Sequence, residues 1–300
     1  MERVTANVFC ETRTLGCNPS FVVTAEGVVM IDSPQQPSDA VRWREEIAKH
    51  GPIRYLVNTE CHADHILGNW FFPTTVVAQE QTREGMLHPA LAEDLAQWLR
   101  QQGLGDPAAQ SREGGPMGRF IARFRETDPE GVRYLEGYEL RAASVTFSER
   151  MTLHVGSHTF RLLHLPGHTA GQTAVHVPEE RTVFTGDNVF NKVMPILQDP
   201  NMLFAWLDSL RQIQALDVDH VVPGHGEVGD QSTVSEMLAF WQEVIDAVQR
   251  AIDAGWSRDE TLAKVSFIDR YPGSAGLEYM APFWQIRNIS WTYDELMARR

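Results

Sequence analysis

Apolar residues change their spacing along the chain, and the changes mark out strands and helices. Residues 20–32, SFVVTAEGVVMID, hold two short β-branched runs around Glu26-Gly27 and predict a β-hairpin ending at Asp32. Val41, Trp43 and Ile47 form a partial stripe within 38–50, with Ser38 placed to cap and Gly51-Pro52 to stop, so a surface helix is expected there. IRYLVNT (53–59) and TTVVAQ (74–79) read as strands. From about Glu80 to Gln102 the period turns helical, with Met86, Leu91, Leu95 and Leu99 facing inward. Glycine and proline punctuate 103–118 as a loop, and Met117, Phe120, Ile121 and Phe124 then return to helical spacing.

Beyond residue 143 strands dominate: SVTF, MTLHVG and HTFRLLHLP, with a hairpin at Gly156-Ser157. A strand follows the LPGHT turn, TVFT runs into Gly186-Asp187, and DHVVPGHG (219–226) ends in a loop bearing His225. Helices are expected at about 202–215 and, on a long stripe from Val234 to Ile252, at about 231–254. The tail, 257–300, reads as further helices with an aromatic-rich loop. This succession indicates an α/β layered fold. The chain reads as one domain over 1–300, with a helical insertion at 80–140 and a helical extension at 257–300. The insertion is placed either to cover a site or to pack as peripheral helices.

Composition narrows the class. At 300 residues, 43% hydrophobic and 22% charged, the chain can bury a sizeable core and resembles soluble globular proteins. Lysine plus arginine number 26 against 40 aspartates and glutamates, a net charge of −14. That balance argues against nucleic acid and anionic membranes as partners. The N-terminus lacks a basic region followed by an apolar run, and no stretch is long and apolar enough to span a bilayer, so a cytoplasmic protein is expected. Three cysteines without metal-pair spacing fit a reducing compartment, and Cys61 is expected to point away from its ligand-type neighbours and fill space. Arg112, Arg119, Arg123, Arg125 and Arg133 interleave with Glu113, Glu126, Asp128 and Glu130, which reads as a solvated face.

The candidate chemistry lies in turns. NTECHADHILGN, 58–69, offers Glu60, His62, Asp64 and His65. In extended backbone alternate side chains point the same way, so this stretch can feed two adjacent metal sites. His168 in LPGHT, Asp187 in FTGD and His225 in VPGHG each follow a strand, where α/β folds collect functional loops. Imidazoles and carboxylates suit zinc, iron or manganese. His50, His88, His154, His158, His164, His176 and His220 read as structural or surface residues.

Taken together, these motifs resemble the metallo-β-lactamase-fold hydrolases, and among them the glyoxalase II-like group, over about residues 15–230. There the first motif is usually His-x-His-x-Asp-His; here it reads Glu60-Cys61-His62-Ala63-Asp64-His65. The resemblance implies an αββα sandwich, two mixed β-sheets flanked by helices. It implies one metal on Glu60, His62 and His168, a second on Asp64, His65 and His225, with Asp187 bridging and Asp32 supporting the site from behind. Two divalent ions, zinc first and iron or manganese as alternatives, would share a water whose pKa falls to about 7. Metal-bound hydroxide would attack, and Asp64 would take or pass a proton. The implied activity is hydrolysis of an ester-like bond (lactone, thioester, ester, amide or β-lactam) in a small molecule. No Gly-x-Ser-x-Gly elbow offers a competing nucleophile. Trp70, Phe71, Phe72, Phe120 and Phe124 would either line the mouth for an apolar substrate or belong to the core. Two other readings stay open: an iron-dependent redox enzyme of the same fold, and a non-catalytic metal-binding protein in which Glu60 marks a degraded site. Homo-oligomerisation is compatible with each.

Overall fold

The computed structural model describes residues 1–88, 128–134, 138–270 and 280–300. The expectations placed on Leu91, Leu95, Leu99, Met117, Phe120, Ile121, Phe124 and the arginines from 112 to 125 lie outside these residues.

Seven strands form the first sheet in chain order: β1 Glu2–Arg3, β2 Val8–Cys10, β3 Ser20–Thr24, β4 Gly27–Ile31, β5 Ile53–Val57, β6 Thr75–Gln79 and β7 Val145–Phe147. It is antiparallel from β1 to β4 and parallel from β4 to β7. The second sheet runs β12-β11-β10-β9-β8, from β8 Arg150–Val155, β9 His158–His164, β10 Thr173–Val177, β11 Thr182–Asn191 and β12 His220–Gly226. Only its β11–β12 pair is parallel. Among the described residues the α-helices are α1 Pro37–Ala48, α2 Ala63–Ile66, α3 Glu80–Met86, α4 Leu203–Gln214, α5 Gln231–Asp253, α6 Arg258–Lys264 and α7 Ala281–Ala298.

The unbroken apolar runs of the central strands follow from burial on both faces. In β4, Val28 and Met30 pack outward with Trp43 and Ile47 of α1, while Val29 and Ile31 point between the sheets. There they meet Val22, Val57 and Val77 from the first sheet and Phe160, Leu162, Val175 and Phe184 from the second. The outer face of the second sheet is covered by α4, α5 and α7, through Trp206, Trp241, Val244 and Ile289. Three apolar layers therefore hold four structural layers, the αββα arrangement. Trp241 is fully buried at the centre of the largest layer. Trp241→Ala is expected to destabilise the fold by about 3–5 kcal/mol, measurable as a fall in the denaturant midpoint with circular dichroism.

Several local expectations are corrected. The hairpin turn is Ala25-Glu26, and Gly27, at φ +124°, already pairs with Thr24 as the first residue of β4. Ser38 does not cap α1. The helix starts at Pro37, a ring that needs no amide donor at this position. Ser38 instead donates its backbone N–H (2.9 Å) and its hydroxyl (2.5 Å) to the carboxylate of Asp128. A residue distant in sequence thus satisfies one of the backbone N–H donors left free at the helix start. Gly186-Asp187 and His225 do not follow their strands but lie within them. Strand β11 continues through Gly186, at φ +51°, to Asn191, with register shifts against β12 on both sides of the glycine. Phe71 and Phe72 are core residues and not part of a mouth. Arg133 is exposed beside Glu130, at 3.7 Å. Among the described residues no helix is long and apolar enough to cross a membrane.

Candidate metal centre

The segment after β5 changes geometry part-way. His62 is extended (φ −67°, ψ 150°), and α2 begins at Ala63. Glu60 and His62 therefore precede the helix, while Asp64 and His65 are neighbours on its single turn. That turn, not strand alternation, separates the two pairs of side chains. Cys61 points away, its thiol against Gly85 of α3.

All seven predicted residues come together. Glu60, His62 and His168 form one triad of ligand-type atoms, Asp64, His65 and His225 a second, and Asp187 joins Glu60 and His65 in a third overlapping group; within each group the atoms lie within 4.8 Å of one another. Asp187 lies between the triads. Its Oδ1 is 3.3 Å from His65 Nε2, and its Oδ2 is 3.4 Å from His168 Nε2 and 3.3 Å from His225 Nε2. His168 Nε2 and His62 Nδ1 are 3.2 Å apart, and His225 Nε2 is 3.2 Å from Asp64 Oδ2. Glu60 Oε2 lies against His62 Nδ1 without hydrogen-bond geometry. The only members with appreciable exposure are His62, at 33% of its side chain, and Asp64, at 24%, so the centre opens to solvent on their side.

Backbone and neighbouring side chains fix the imidazoles. A carboxylate or carbonyl only accepts, so the ring nitrogen facing it must donate. His65 Nδ1 faces Asp32 Oδ2 at 2.9 Å, and His168 Nδ1 faces the Ile196 carbonyl at 2.6 Å. Both rings are thereby held with Nε2 turned into the centre. Asp32, at φ +56°, is itself anchored by the Thr59 N–H (2.8 Å) and hydroxyl (2.7 Å). Asparagine tolerates the left-handed region, so Asp32→Asn changes the hydrogen bonding and leaves the backbone alone. It should weaken metal affinity by about 10–100-fold, read by competition with a chromophoric chelator.

Four asparagine amides that the motifs do not single out shape the segments bearing these residues. Asn58 Nδ2 donates to the His65 carbonyl (3.0 Å), and Asn69 Nδ2 donates to Asn58 Oδ1 (2.8 Å). Asn18 Nδ2 donates to the carbonyls of Pro223 (3.0 Å) and Gly226 (2.8 Å), bracing the end of β12 that presents His225. Asn188 Oδ1 accepts the His168 N–H at 3.2 Å. Asn58 and Asn69 bracket the NTECHADHILGN stretch, a signal visible in the sequence; the other two carry no local mark. Gly224 faces Asp187 so closely that a Cβ there would fall 1.9 Å from Oδ1.

The electrostatics are those of a site built for cations. Burial alone would protonate Glu60 and Asp187. The imidazoles of His65, His168 and His62 nevertheless hold Glu60 below the usual carboxylate range, and His225, His65 and His168 hold Asp187 well below it. Burial likewise opposes charge on His225, but Asp187 and Asp64 push it up to about 10. His168 moves the other way, lowered chiefly by burial. Both Glu60 oxygens, His65 Nε2 and Asp187 Oδ1 are buried without a hydrogen-bond partner. Orphaned acceptors and a ring nitrogen aimed at one space are the donors a divalent cation satisfies. The residues present therefore fit a metal.

Residues 12–225 match the family described as the metallo-beta-lactamase superfamily, a span that takes in all seven site residues. The chain belongs to that superfamily. It is 26% identical over 265 residues to the linear primary-alkylsulfatase of Pseudomonas sp. (strain ATCC 19151), covering 82% of this chain and 49% of that protein. It is 35% identical over 81 residues to the atrochrysone carboxyl ACP thioesterase of Aspergillus fumigatus, covering 27% of this chain and 18% of that one. A beta-lactamase domain protein from Burkholderia ambifaria shares the fold at a TM-score of 0.67 and 17% identity, over 99% of this chain and 89% of that one. The chain spans about half, or less, of the length of the curated relatives it matches. Helices α5, α6 and α7 lie beyond the matched span.

Proposed function

We propose that this chain is a metal-dependent hydrolase that cleaves an ester-like bond of a small molecule. One observation carries the reading: seven ligand-type side chains from four separate segments of the chain, two of them within strands β11 and β12, meet as two triads joined through Asp187. Glu60, His62 and His168 would hold one divalent ion, zinc foremost, and Asp64, His65 and His225 the other. When bound, such a pair supplies a Lewis acid for the scissile group and a water acidified to a pKa of about 7. The chain's own residues do the rest. Asp187 and Glu60 bring fixed negative charge, and burial of Glu60, His65, His168 and Asp187 keeps bulk solvent from the inner face. Asp64, on the exposed side and 3.2 Å from His225, is placed to carry a proton to the leaving group. The bond classes to try first are carboxylic esters and lactones, thioesters and sulfate esters. The last two are the bonds that the names of the thioesterase and alkylsulfatase relatives point to.

The test combines metal content by emission spectroscopy with a panel of chromogenic esters, lactones, thioesters, β-lactams and alkyl sulfates. Two divalent ions per chain are expected, with turnover of at least one class that is lost on chelation and restored by zinc. A protein that binds no metal and turns over nothing would sink the proposal. An iron-loaded protein that consumes oxygen and hydrolyses nothing would favour a redox enzyme.

A further inference from the structure

The ring of His168 is set by a loop whose shape is dictated from outside the family span. Residues 192–202 connect β11 to α4 without regular structure and pass beside the His168 turn. They touch it twice: the Ile196 carbonyl accepts from His168 Nδ1 at 2.6 Å, and Asp199 Oδ2 accepts from the Ala170 N–H at 2.9 Å. On its other side this loop lies on α7. There Asn288, only 2% exposed, uses both ends of its amide: Nδ2 donates to the Pro195 carbonyl at 2.7 Å, and Oδ1 accepts the Leu197 N–H at 2.9 Å. Glu295 Oε2 adds a bond from the Leu203 N–H at 3.2 Å, and Arg287 donates to the Gln198 side chain.

The two bonds of Asn288 straddle Ile196. The Ile196 carbonyl and the Leu197 N–H belong to one planar peptide unit and point in opposite directions across it. Holding the Leu197 N–H on Asn288 therefore turns the Ile196 carbonyl the other way, onto His168. We infer that Asn288 is a positioning residue of the metal centre. By pinning the Ile196–Leu197 peptide plane it aims the carbonyl that keeps His168 Nδ1 protonated and Nε2 free for a cation. The C-terminal helix, outside the matched span, thus completes the triad of Glu60, His62 and His168.

This inference rests on the metal reading above, and the test separates the two. Full-length wild type, Asn288→Ala, Asn288→Asp and Leu296→Ala are titrated with zinc against a chromophoric chelator, and their cobalt-substituted visible spectra are compared. Leu296 is buried in the same helix and packs in the apolar layer, so its variant reports loss of stability alone. Asn288→Ala should weaken one of the two metal affinities about tenfold, the lower end for groups that orient a ligand, and shift the cobalt spectrum. Asn288→Asp retains the acceptor for Leu197 and should fall between alanine and wild type. Leu296→Ala should leave both affinities and the spectrum unchanged. Wild type that binds no metal overturns both the metal reading and the clamp. Wild type with two metals, and Asn288→Ala indistinguishable from it or from Leu296→Ala, overturns the clamp alone.

Discussion

Replacing Asp187 with alanine is expected to strip both metal positions and to lower hydrolysis by at least about 10²–10³-fold, the scale on which removal of one preorganised electrostatic group acts. The size of the effect follows from its position. Its two oxygens approach imidazoles of both triads, His65 on one side and His168 and His225 on the other, each within 3.4 Å. Every other carboxylate of the centre is assigned to one ion; this one is shared, so its loss weakens both. The fold should survive, because the apolar layers on either side of the sheets do not include it. Asp187→Asn separates charge from shape and should also lose metal, since an amide brings no negative charge to offset two dications. Metal content after desalting, far-ultraviolet circular dichroism and turnover measure the three parts. Retention of two metals with undiminished turnover would remove Asp187 from the centre.

How much of this was readable in the chain depends on the kind of interaction. The elements were legible where an apolar stripe was long. The period from Val234 to Ile252 gives α5 almost residue for residue, and the run in β4 gives a strand buried on both faces. A strand buried on both faces shows no alternation, so the run cannot say which side meets α1 and which the second sheet. The assembled packing makes that division: Val28 and Met30 join the layer with α1, and Val29 and Ile31 the layer between the sheets. The candidate site residues were legible because each sits beside a glycine or a cluster of ligand types. Their setting was not. Asp187 lies inside β11 because Gly186 takes a left-handed conformation and lets the strand continue, an event that a TGD tripeptide does not distinguish from a turn. The bond from Asp128 to Ser38 and the clamp of Asn288 on residues 195–197 join positions about ninety residues apart. Neither has a local pattern, because hydrogen bonds between distant segments are set by the assembled fold.

Glu60 carries the other large expected effect. It is fully buried, and both of its oxygens lack a hydrogen-bond partner. It lies beside His62, 3.7 Å from His168 and 3.8 Å from His65. A buried ionised carboxylate is tolerated only when paired or bound to a cation. The imidazoles already keep it ionised against burial, so it can bind a cation without first losing a proton. Glu60→Gln keeps the shape and removes the charge. It should weaken one metal affinity by about 10²-fold or more, beyond the range seen for groups that merely orient a ligand. Glu60→His restores the first histidine of the motif as it usually stands in the family and should retain two metals. The difference then lies in selectivity. Glu60, Asp64 and Asp187 set three negative charges against two dications, leaving one net positive charge to polarise a substrate; histidine at position 60 would leave two. Carboxylate oxygens suit manganese and imidazole suits zinc. The zinc-to-manganese affinity ratio should therefore rise in Glu60→His, together with a fall in the pH at which turnover reaches half its maximum. Competition of the two metals for wild type and variant measures the first, and a pH–rate profile the second. Full occupancy and full turnover in Glu60→Ala would show that this carboxylate binds no metal and that its imidazole neighbours alone hold its buried charge.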